Sequence, residues 1–233
     1  MDPLEYKIDH FFKAFSNLVK FIENECKDRI EGAILACAYI DSLSGYKYGG
    51  KSNRDRFANF IKEYSGMNSV YELISLPRLK YHIMEKHPRH KLIVNKLVQE
   101  FKINEFDFVT LGHSVDVKMD QLDIRLRRTL SLKDLNFVIK MAAQFEYTAI
   151  LWRDYRCNLI HETRLPEEEA MNLDESIEPY YTSRLLNGHE NPHQSRITFG
   201  IPQEFIIRTL KNCLESFEEE CRTSKIDPFK NAS

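Results

Sequence analysis

The stretch LWRDYRCNLIHE, residues 151–162, sets an arginine and a histidine with four residues between them inside an apolar run. Arg156 carries a permanent positive charge on a planar group that fits phosphate oxygens. His161 has the side chain that exchanges a proton near neutral pH. Together the two residues can bind a phosphodiester and move a proton, so the stretch predicts phosphodiester chemistry.

Helical geometry separates this pair. At about 100° per residue, Asp154, Asn158 and His161 lie along one side of an α-helix, whereas Arg156 is about 140° from His161. The long arginine side chain can still reach the imidazole near a helix end, or where a second subunit closes the gap. The separation therefore leaves open whether the two side chains meet within one chain or across two subunits.

The same spacing recurs from Arg184 to His189, in SRLLNGHE. There Asn187 and Gly188 predict a turn, which gives the two side chains no helical scaffold. We interpret this second pair as coincidental.

The first pair also has a purely structural interpretation. Arg153, Asp154, Arg156 and Glu162 would solvate the outer side of a core helix while His161 caps carbonyls at the helix end. The sequence alone leaves both interpretations open.

Asp41 lies in an otherwise apolar helix predicted for residues 30–44. A carboxylate in such surroundings needs a partner to offset its desolvation, and Arg156 or His161 would supply one. The alternative is that Asp41 lies at the exposed end of its helix and hydrogen-bonds the following GYKYGG loop. That loop region mixes aromatic and basic side chains, which can stack on bases and hold phosphates or can simply be solvated. Its residues are Tyr46, Lys47, Tyr48, Lys51, Arg54 and Arg56.

The elements that position these residues are mostly helices. Only 8 Gly and 8 Pro punctuate 233 residues, few for an all-β protein with many tight turns. Helical periodicity predicts helices over residues 6–22, 30–44, 53–64, 70–84, 92–101, 131–162 and 203–221, with breaks around Pro77 and Pro88. The stretch 131–162 is one helix or two in succession, and Asn53 and Ser131 are predicted N-caps. A β-hairpin is predicted near residues 178–200, and residues 104–128 carry no clear pattern. With no repeat or linker, residues 1–233 are predicted to form a single, mostly α domain.

Charge and cysteine content exclude several classes of protein. The 33 basic and 35 acidic residues give a net charge of -2, so any contact with nucleic acid must be local. The N-terminus has charges inside its apolar run, which argues against a secretory signal, and no apolar stretch reaches the length of a membrane span. The five cysteines have no C-x-x-C spacing, which argues against a disulfide framework or a zinc site and favours the cytoplasm.

The segment YRCNLIHE, at the end of an apolar helix, resembles the R-x4-6-H signature of the HEPN superfamily. The segments ACAYIDSLSGYKYGG and RDRFANFIKEY resemble the N-terminal helices of bacterial HEPN-type proteins. Two positions depart from the pattern: Cys157 stands where a polar residue usually follows the arginine, with Asn158 one place later. Thr163 stands where some members carry a tyrosine that a partner enzyme modifies, so that mode of control is not supported.

The resemblance implies a HEPN-like helical bundle, with additional helices and the hairpin, that acts as a metal-independent endoribonuclease. It implies that the ribose 2′-OH attacks the adjacent phosphate, with His161 as general acid or base and Arg156 stabilising the transition state. Asn158 and Asp41 would position the imidazole. It also implies a homodimer, an RNA substrate, a toxin or antiviral defence context with an antitoxin or defence-system partner, and no cofactor, metal or membrane.

Two other functions stay open. One is a non-catalytic HEPN-like module that binds a nucleotide or a protein partner through the same surface, because a fold does not by itself define an activity. The other is a helical scaffold in which the motif is accidental.

Overall fold

Helices account for most of the structure. The structure is a computed structural model and describes residues 2–26, 29–50, 52–103, 109–158, 169–170, 177–184 and 196–231. The mostly α fold class predicted from the sequence is confirmed. The helices, in chain order, are α1 (Pro3–Glu25), α2 (Ile30–Tyr48), α3 (Asn53–Tyr64), α4 (Asn68–Tyr71), α5 (Leu76–Lys86), α6 (Lys91–Phe101), α7 (Met119–Leu126), α8 (Leu132–Ala142), α9 (Tyr147–Ile150) and α10 (Gln203–Thr223).

Other elements fill in between the helices. The strands are β1 (Leu73–Ile74), β2 (Val109–Leu111), β3 (Val117–Lys118), β4 (Glu169–Ala170), β5 (Tyr180–Arg184) and β6 (Arg196–Gly200). Short 3-10 helices occupy Pro88–His90 and Gly112–Ser114, and Leu151–Cys157 is π-helical. None of the helices in the described ranges is both long and apolar enough to cross a membrane.

The chain divides into two compact units. Unit 1 contains Met1–Asn68, Leu151–Arg164 and Gln203–Ser233, and unit 2 contains Ser69–Ile150 and Leu165–Pro202. A single domain over residues 1–233 stays a prediction, because compactness does not report whether the two units unfold cooperatively.

Helix α2 is the centre of unit 1. It is apolar on nearly every side and packs against α1, α3, α10 and the π-helical segment, as predicted for a central helix. Close packing at its start depends on Gly32, where a Cβ would come within 2.1 Å of Gln203 Nε2. That amide donates a 2.8 Å hydrogen bond to the carbonyl of Cys26 and so ties the start of α10 to the end of α1.

Helix α2 is longer than its predicted range of residues 30–44. Residues 45–48 continue the helix, and the chain turns at Gly49, whose φ of 62° favours glycine. The predicted GYKYGG loop is therefore wrong, because its first four residues are helical. At the next helix, the Ser52 hydroxyl rather than Asn53 provides the cap, accepting from the backbone N–H of Asp55.

The apolar stripe predicted over residues 131–162 is not one continuous α-helix. Ser131 caps α8 as predicted, accepting from Asp134 N, but α8 ends at Ala142. The short helix α9 then leads into the π-helical segment, which belongs to unit 1.

Unit 2 contains the predicted hairpin. Strands β5 and β6 pair antiparallel from Tyr180↔Gly200 to Arg184↔Arg196. They form the middle of a four-stranded sheet of order β2-β5-β6-β4, and β1 pairs with β3 separately. The helical core of the unit contains Leu76, Leu79, Ile83, Leu97, Leu122, Leu126 and Val138. Residues 104–128, for which no pattern was found, contribute β2, β3 and α7 to this unit.

Candidate functional site

Arg156 lies in the π-helical segment of unit 1, where backbone bonding from residue i to i+5 widens the turn. Its guanidinium stands 4.7 Å from the centre of the Trp152 ring, a cation–π contact. The indole is held in turn by Phe57 of α3, with ring centres 5.1 Å apart. The arginine therefore rests on an aromatic support that fixes its head group.

Asp41 binds this guanidinium. The carboxylate oxygen Oδ2 accepts from Arg156 Nη2 at 2.7 Å and from Arg156 Nε at 3.2 Å. The second oxygen, Oδ1, accepts from Arg56 Nη2 of α3 at 3.3 Å. Asp41 is only 6% exposed, so it is a buried carboxylate held between two arginines.

Of the interpretations that the sequence left open for Asp41, the pairing with Arg156 is confirmed, and the exposed helix end is wrong. Because α2 continues to Tyr48, Asp41 lies in the interior of the helix rather than at its end. The purely solvated-face interpretation is also wrong for Asp154, which is 3% exposed and accepts two 2.7 Å hydrogen bonds from Arg153.

We call Asp41, Arg56 and Arg156 the arginine cluster. One carboxylate faces two permanent cations, so the cluster carries an excess positive charge. The Arg56 and Arg156 side chains keep 21% and 20% of their surface exposed, which makes them reachable by an anion from solvent. A guanidinium has five N–H donors, and within the described residues Asp41 takes two from Arg156. Within the described residues, the Arg56 Nε atom is buried and has no hydrogen-bond partner.

Two cysteines border the cluster. Cys37, one turn before Asp41 on α2, is fully buried, and burial raises the pKa of its thiol to about 12 although Arg156 acts in the opposite direction. A buried thiol in this state is a poor nucleophile. Cys157 is partly exposed, and all five cysteines are free thiols.

The other predicted site residues fall at or beyond the edge of the described ranges. Asn158 follows the π-helical segment and is partly exposed. His161 and Thr163 lie outside the described residues, as does His189 of the second pair. The predicted 140° separation of Arg156 and His161 requires an α-helix throughout. That premise is wrong for the segment up to Cys157, which is π-helical.

The predicted aromatic and basic loop is mostly helical, and Arg54 is exposed on α3. Its side chains from α2 are engaged inside unit 1: Tyr46 packs edge-on against Phe11 at 4.8 Å, Lys47 bonds Glu220 at 2.6 Å and the Tyr48 hydroxyl bonds Glu63. Arg56 belongs to the arginine cluster instead. Lys51 lies outside the described residues.

Unit 2 holds a second buried carboxylate that sequence reasoning missed. Asp116 Oδ2 accepts from the hydroxyls of Tyr147 and Tyr181, each at 2.5 Å, and Oδ1 accepts from the backbone N–H of Leu76 at 3.0 Å. The hydroxyls of Tyr181 and Ser75 are 2.7 Å apart. We call Asp116, Tyr147, Tyr181 and Ser75 the tyrosine cluster.

Burial raises the pKa of Asp116 to about 7, although the hydrogen bonds from both tyrosines lower it. Burial also raises the pKa values of Tyr147 and Tyr181 well above their ordinary value, so both phenols remain protonated donors. All four side chains are buried, which leaves the cluster no contact with a ligand from solvent. Its role is to tie the start of α5 to α9 and β5.

The described residues contain no group of three or more His, Cys, Asp or Glu side chains arranged to hold a metal ion. Comparison with family models, with curated proteins and with solved structures finds no match to this chain. The HEPN resemblance therefore stays a prediction based on the quoted motifs.

Proposed function

We propose that the protein is a metal-independent endoribonuclease in which the arginine cluster is the phosphate-binding part of the site. The observation that carries this proposal is the Arg156 guanidinium, fixed by Asp41 and Trp152, partly exposed, and placed within the R-x4-H motif. A cation held in advance where charge develops stabilises a phosphoryl transition state without reorganisation.

In the proposed reaction the ribose 2′-OH attacks the adjacent phosphorus, and the 5′-oxygen of the next nucleotide leaves. The products carry a 2′,3′-cyclic phosphate and a 5′-hydroxyl. His161 accepts the 2′-OH proton or protonates the leaving oxygen, and Arg156 stabilises charge on the non-bridging oxygens. Asp41 positions Arg156, and Asn158 positions the imidazole. The chemistry needs no metal, and DNA is spared because it lacks the attacking group.

The proposal includes a homodimer in which the Arg156 and His161 side chains of two chains converge on one cleft. The cytoplasmic toxin or antiviral defence setting, with an antitoxin or defence-system partner, belongs to the same proposal. Its support is the motif resemblance.

A second candidate function is nucleotide binding without catalysis, by a HEPN-like module. The observation in its favour is that Arg56 and Arg156 together form a cationic site that needs no histidine. A phosphate held by two guanidinium groups gives affinity and orientation but no proton transfer.

Cleavage of single-stranded RNA in EDTA separates these functions. The variants are Arg156→Lys, His161→Ala and the decoy Arg184→Ala, with thermal melts alongside. Arg156→Lys keeps the positive charge facing Asp41 but loses the planar fork, so it preserves the fold better than alanine does.

We expect rate losses on the order of 10²- to 10⁴-fold for His161→Ala and about 10²-fold or more for Arg156→Lys. The decoy should cleave as fast as wild type. Equal activity in every variant, or a requirement for magnesium, contradicts the ribonuclease proposal. Phosphate-dependent binding without cleavage in any variant supports the non-catalytic function.

A further inference from the structure

A strongly basic stretch lies in unit 2. Between Arg78 and Lys96 the sequence has six Lys or Arg residues, three His and a single acidic residue, Glu85. The whole chain has a net charge of -2, so this stretch stands out against a slightly acidic protein. A local basic surface is the electrostatic footprint of a polyanion partner.

Aromatic rings lie within this stretch and on the neighbouring helix α8. The His90 ring stacks on Phe137 of α8, with centroids 4.2 Å apart and planes 10° apart. His87 approaches the same phenylalanine edge-on at 5.2 Å. All three side chains are partly exposed, so rings from the end of α5, the 3-10 helix Pro88–His90 and helix α8 lie partly at the surface.

Five cations lie on the same elements as these rings or on the adjoining helix α6. Lys86, Arg89 and Lys91 are exposed on α5, the 3-10 helix and α6. On α8, Lys133 and Lys140 are exposed one turn to either side of Phe137 and so share its face of the helix. None of these five cations forms an ion pair with another residue in the described ranges. The acidic residues on the same elements are Glu85, Glu100 and Asp134, the last of which is bonded by Ser131.

We propose that this surface, which we call the α5–α8 surface, binds single-stranded RNA. The lysines and Arg89 hold the phosphates, and His87, His90 and Phe137 offer ring faces on which unpaired bases stack. Duplex RNA fits less well because its bases are already stacked on one another. An anionic membrane would use the charges but would leave the ring stack without a role.

The choice of RNA over DNA rests on the proposed function, whereas the binding itself rests on the α5–α8 surface alone. The two claims are separated by using RNA with 2′-O-methyl groups, which lacks the attacking hydroxyl and cannot be cleaved by the proposed reaction. Binding of this probe does not depend on the arginine cluster being catalytic.

The experiment measures fluorescence anisotropy of a labelled 2′-O-methyl oligouridylate of about ten nucleotides as salt is varied. The first variant is Arg89→Gln/Lys133→Gln. Its matched control is Lys13→Gln/Lys20→Gln, which removes two exposed charges from α1 of unit 1. His90→Ala removes a stacking ring, and His90→Phe restores one.

We expect the Arg89→Gln/Lys133→Gln variant to bind the probe on the order of tenfold more weakly, with the control unchanged. The slope of log affinity against log salt concentration should become shallower by about 0.7 for each phosphate contact that is lost. His90→Ala should lose about fivefold or more, and His90→Phe should recover it. The proposal is overturned if the control variant loses affinity equally, or if DNA or duplex RNA binds more tightly than the probe. It is also overturned if the protein binds only to vesicles of anionic lipid. If the probe binds as expected but unmodified RNA is not cleaved, the proposed function is contradicted while RNA binding by the α5–α8 surface is supported.

Discussion

Asp41 and Asp116 are both buried carboxylates, 6% and 5% exposed, yet their surroundings differ in kind. Asp41 faces two guanidinium groups that reach solvent, whereas Asp116 faces two phenols and a backbone N–H inside unit 2. Burial raises the pKa of Asp116 to about 7, and the hydrogen bonds that it accepts offset this rise only in part. Burial of a carboxylate therefore does not by itself indicate a functional site, and the charge and exposure of its partners make Asp41 a better candidate than Asp116.

Among the substitutions, the loss of the Asp41 charge is expected to have the largest effect on stability. Asp41→Ala leaves Arg56 and Arg156 facing each other half-buried, and we expect the free energy of unfolding to fall by about 3 kcal/mol. Denaturant unfolding measures it. Asp9→Ala is the control, because Asp9 pairs with Arg222 on the exposed surface of unit 1 and should cost less than about 1 kcal/mol. Similar losses for both variants would contradict the distinction between buried and exposed pairs.

The tyrosine cluster is expected to be sensitive to packing. A Cβ at Gly112 would come within 2.0 Å of the Tyr147 hydroxyl and 3.2 Å of the carbonyl of Pro179. Gly112→Ala should push Tyr147 from Asp116 and destabilise the protein by about 1–3 kcal/mol in thermal or denaturant unfolding. Gly50→Ala, with open space at its Cβ, should change stability by less than about 0.5 kcal/mol. An unchanged stability in Gly112→Ala would contradict this expectation and show that the tyrosine cluster tolerates rearrangement.

The buried carboxyl of Asp116 should make stability depend on pH. The folded pKa of Asp116 is raised to about 7 from an ordinary 3.8, so its protonated form is favoured by folding. Its stabilising contribution is complete below about pH 4 and is lost as pH rises through about 7, with a slope of at most about 1.4 kcal/mol per pH unit. The stability of wild type relative to Asp116→Asn should therefore fall across this window. A difference that is flat, or that grows with pH, would contradict a carboxyl protonated by burial.

The smallest effect concerns the two arginines. Arg156 gives Asp41 two hydrogen bonds and Arg56 gives one longer bond, so the double-mutant coupling of Asp41 should be stronger to Arg156. We expect about 1–2 kcal/mol for Arg156 and less than about 1 kcal/mol for Arg56, from alanine cycles in denaturant unfolding. A stronger coupling to Arg56 would make α3, rather than the π-helical segment, the main partner of α2.

Local sequence patterns predicted some of these features and not others. The hairpin β5–β6 is predicted because its strands and turn signals are adjacent in the chain. A partner for Asp41 is predicted because a carboxylate in an apolar helix needs one, and Arg156 was one of the alternatives. The extra residues of α2 were missed because Gly45 and two tyrosines are typical of a loop as well as of a helix end.

Long-range features carried no local signal. The π-helical segment has the apolar spacing of an ordinary helix, so its wider turn was not visible in the sequence. The tyrosine cluster joins Asp116 to Tyr181 across 65 positions, and residues 104–128 have no periodicity to suggest such a contact. Arg56 was assigned to a basic loop, although its partner is the carboxylate one helix earlier.

The measurement that bears most directly on the proposed function of the arginine cluster is the chemistry of the RNA ends. Single-stranded RNA is incubated with the wild-type protein in EDTA, and the products are identified by mass spectrometry. Attack by the 2′-OH predicts one product with a 2′,3′-cyclic phosphate or 3′-phosphate end and one with a 5′-hydroxyl end. Neither product should form when the His161→Ala variant replaces the wild-type protein. Products with 3′-hydroxyl and 5′-phosphate ends, or intact RNA at every protein concentration, would contradict the account.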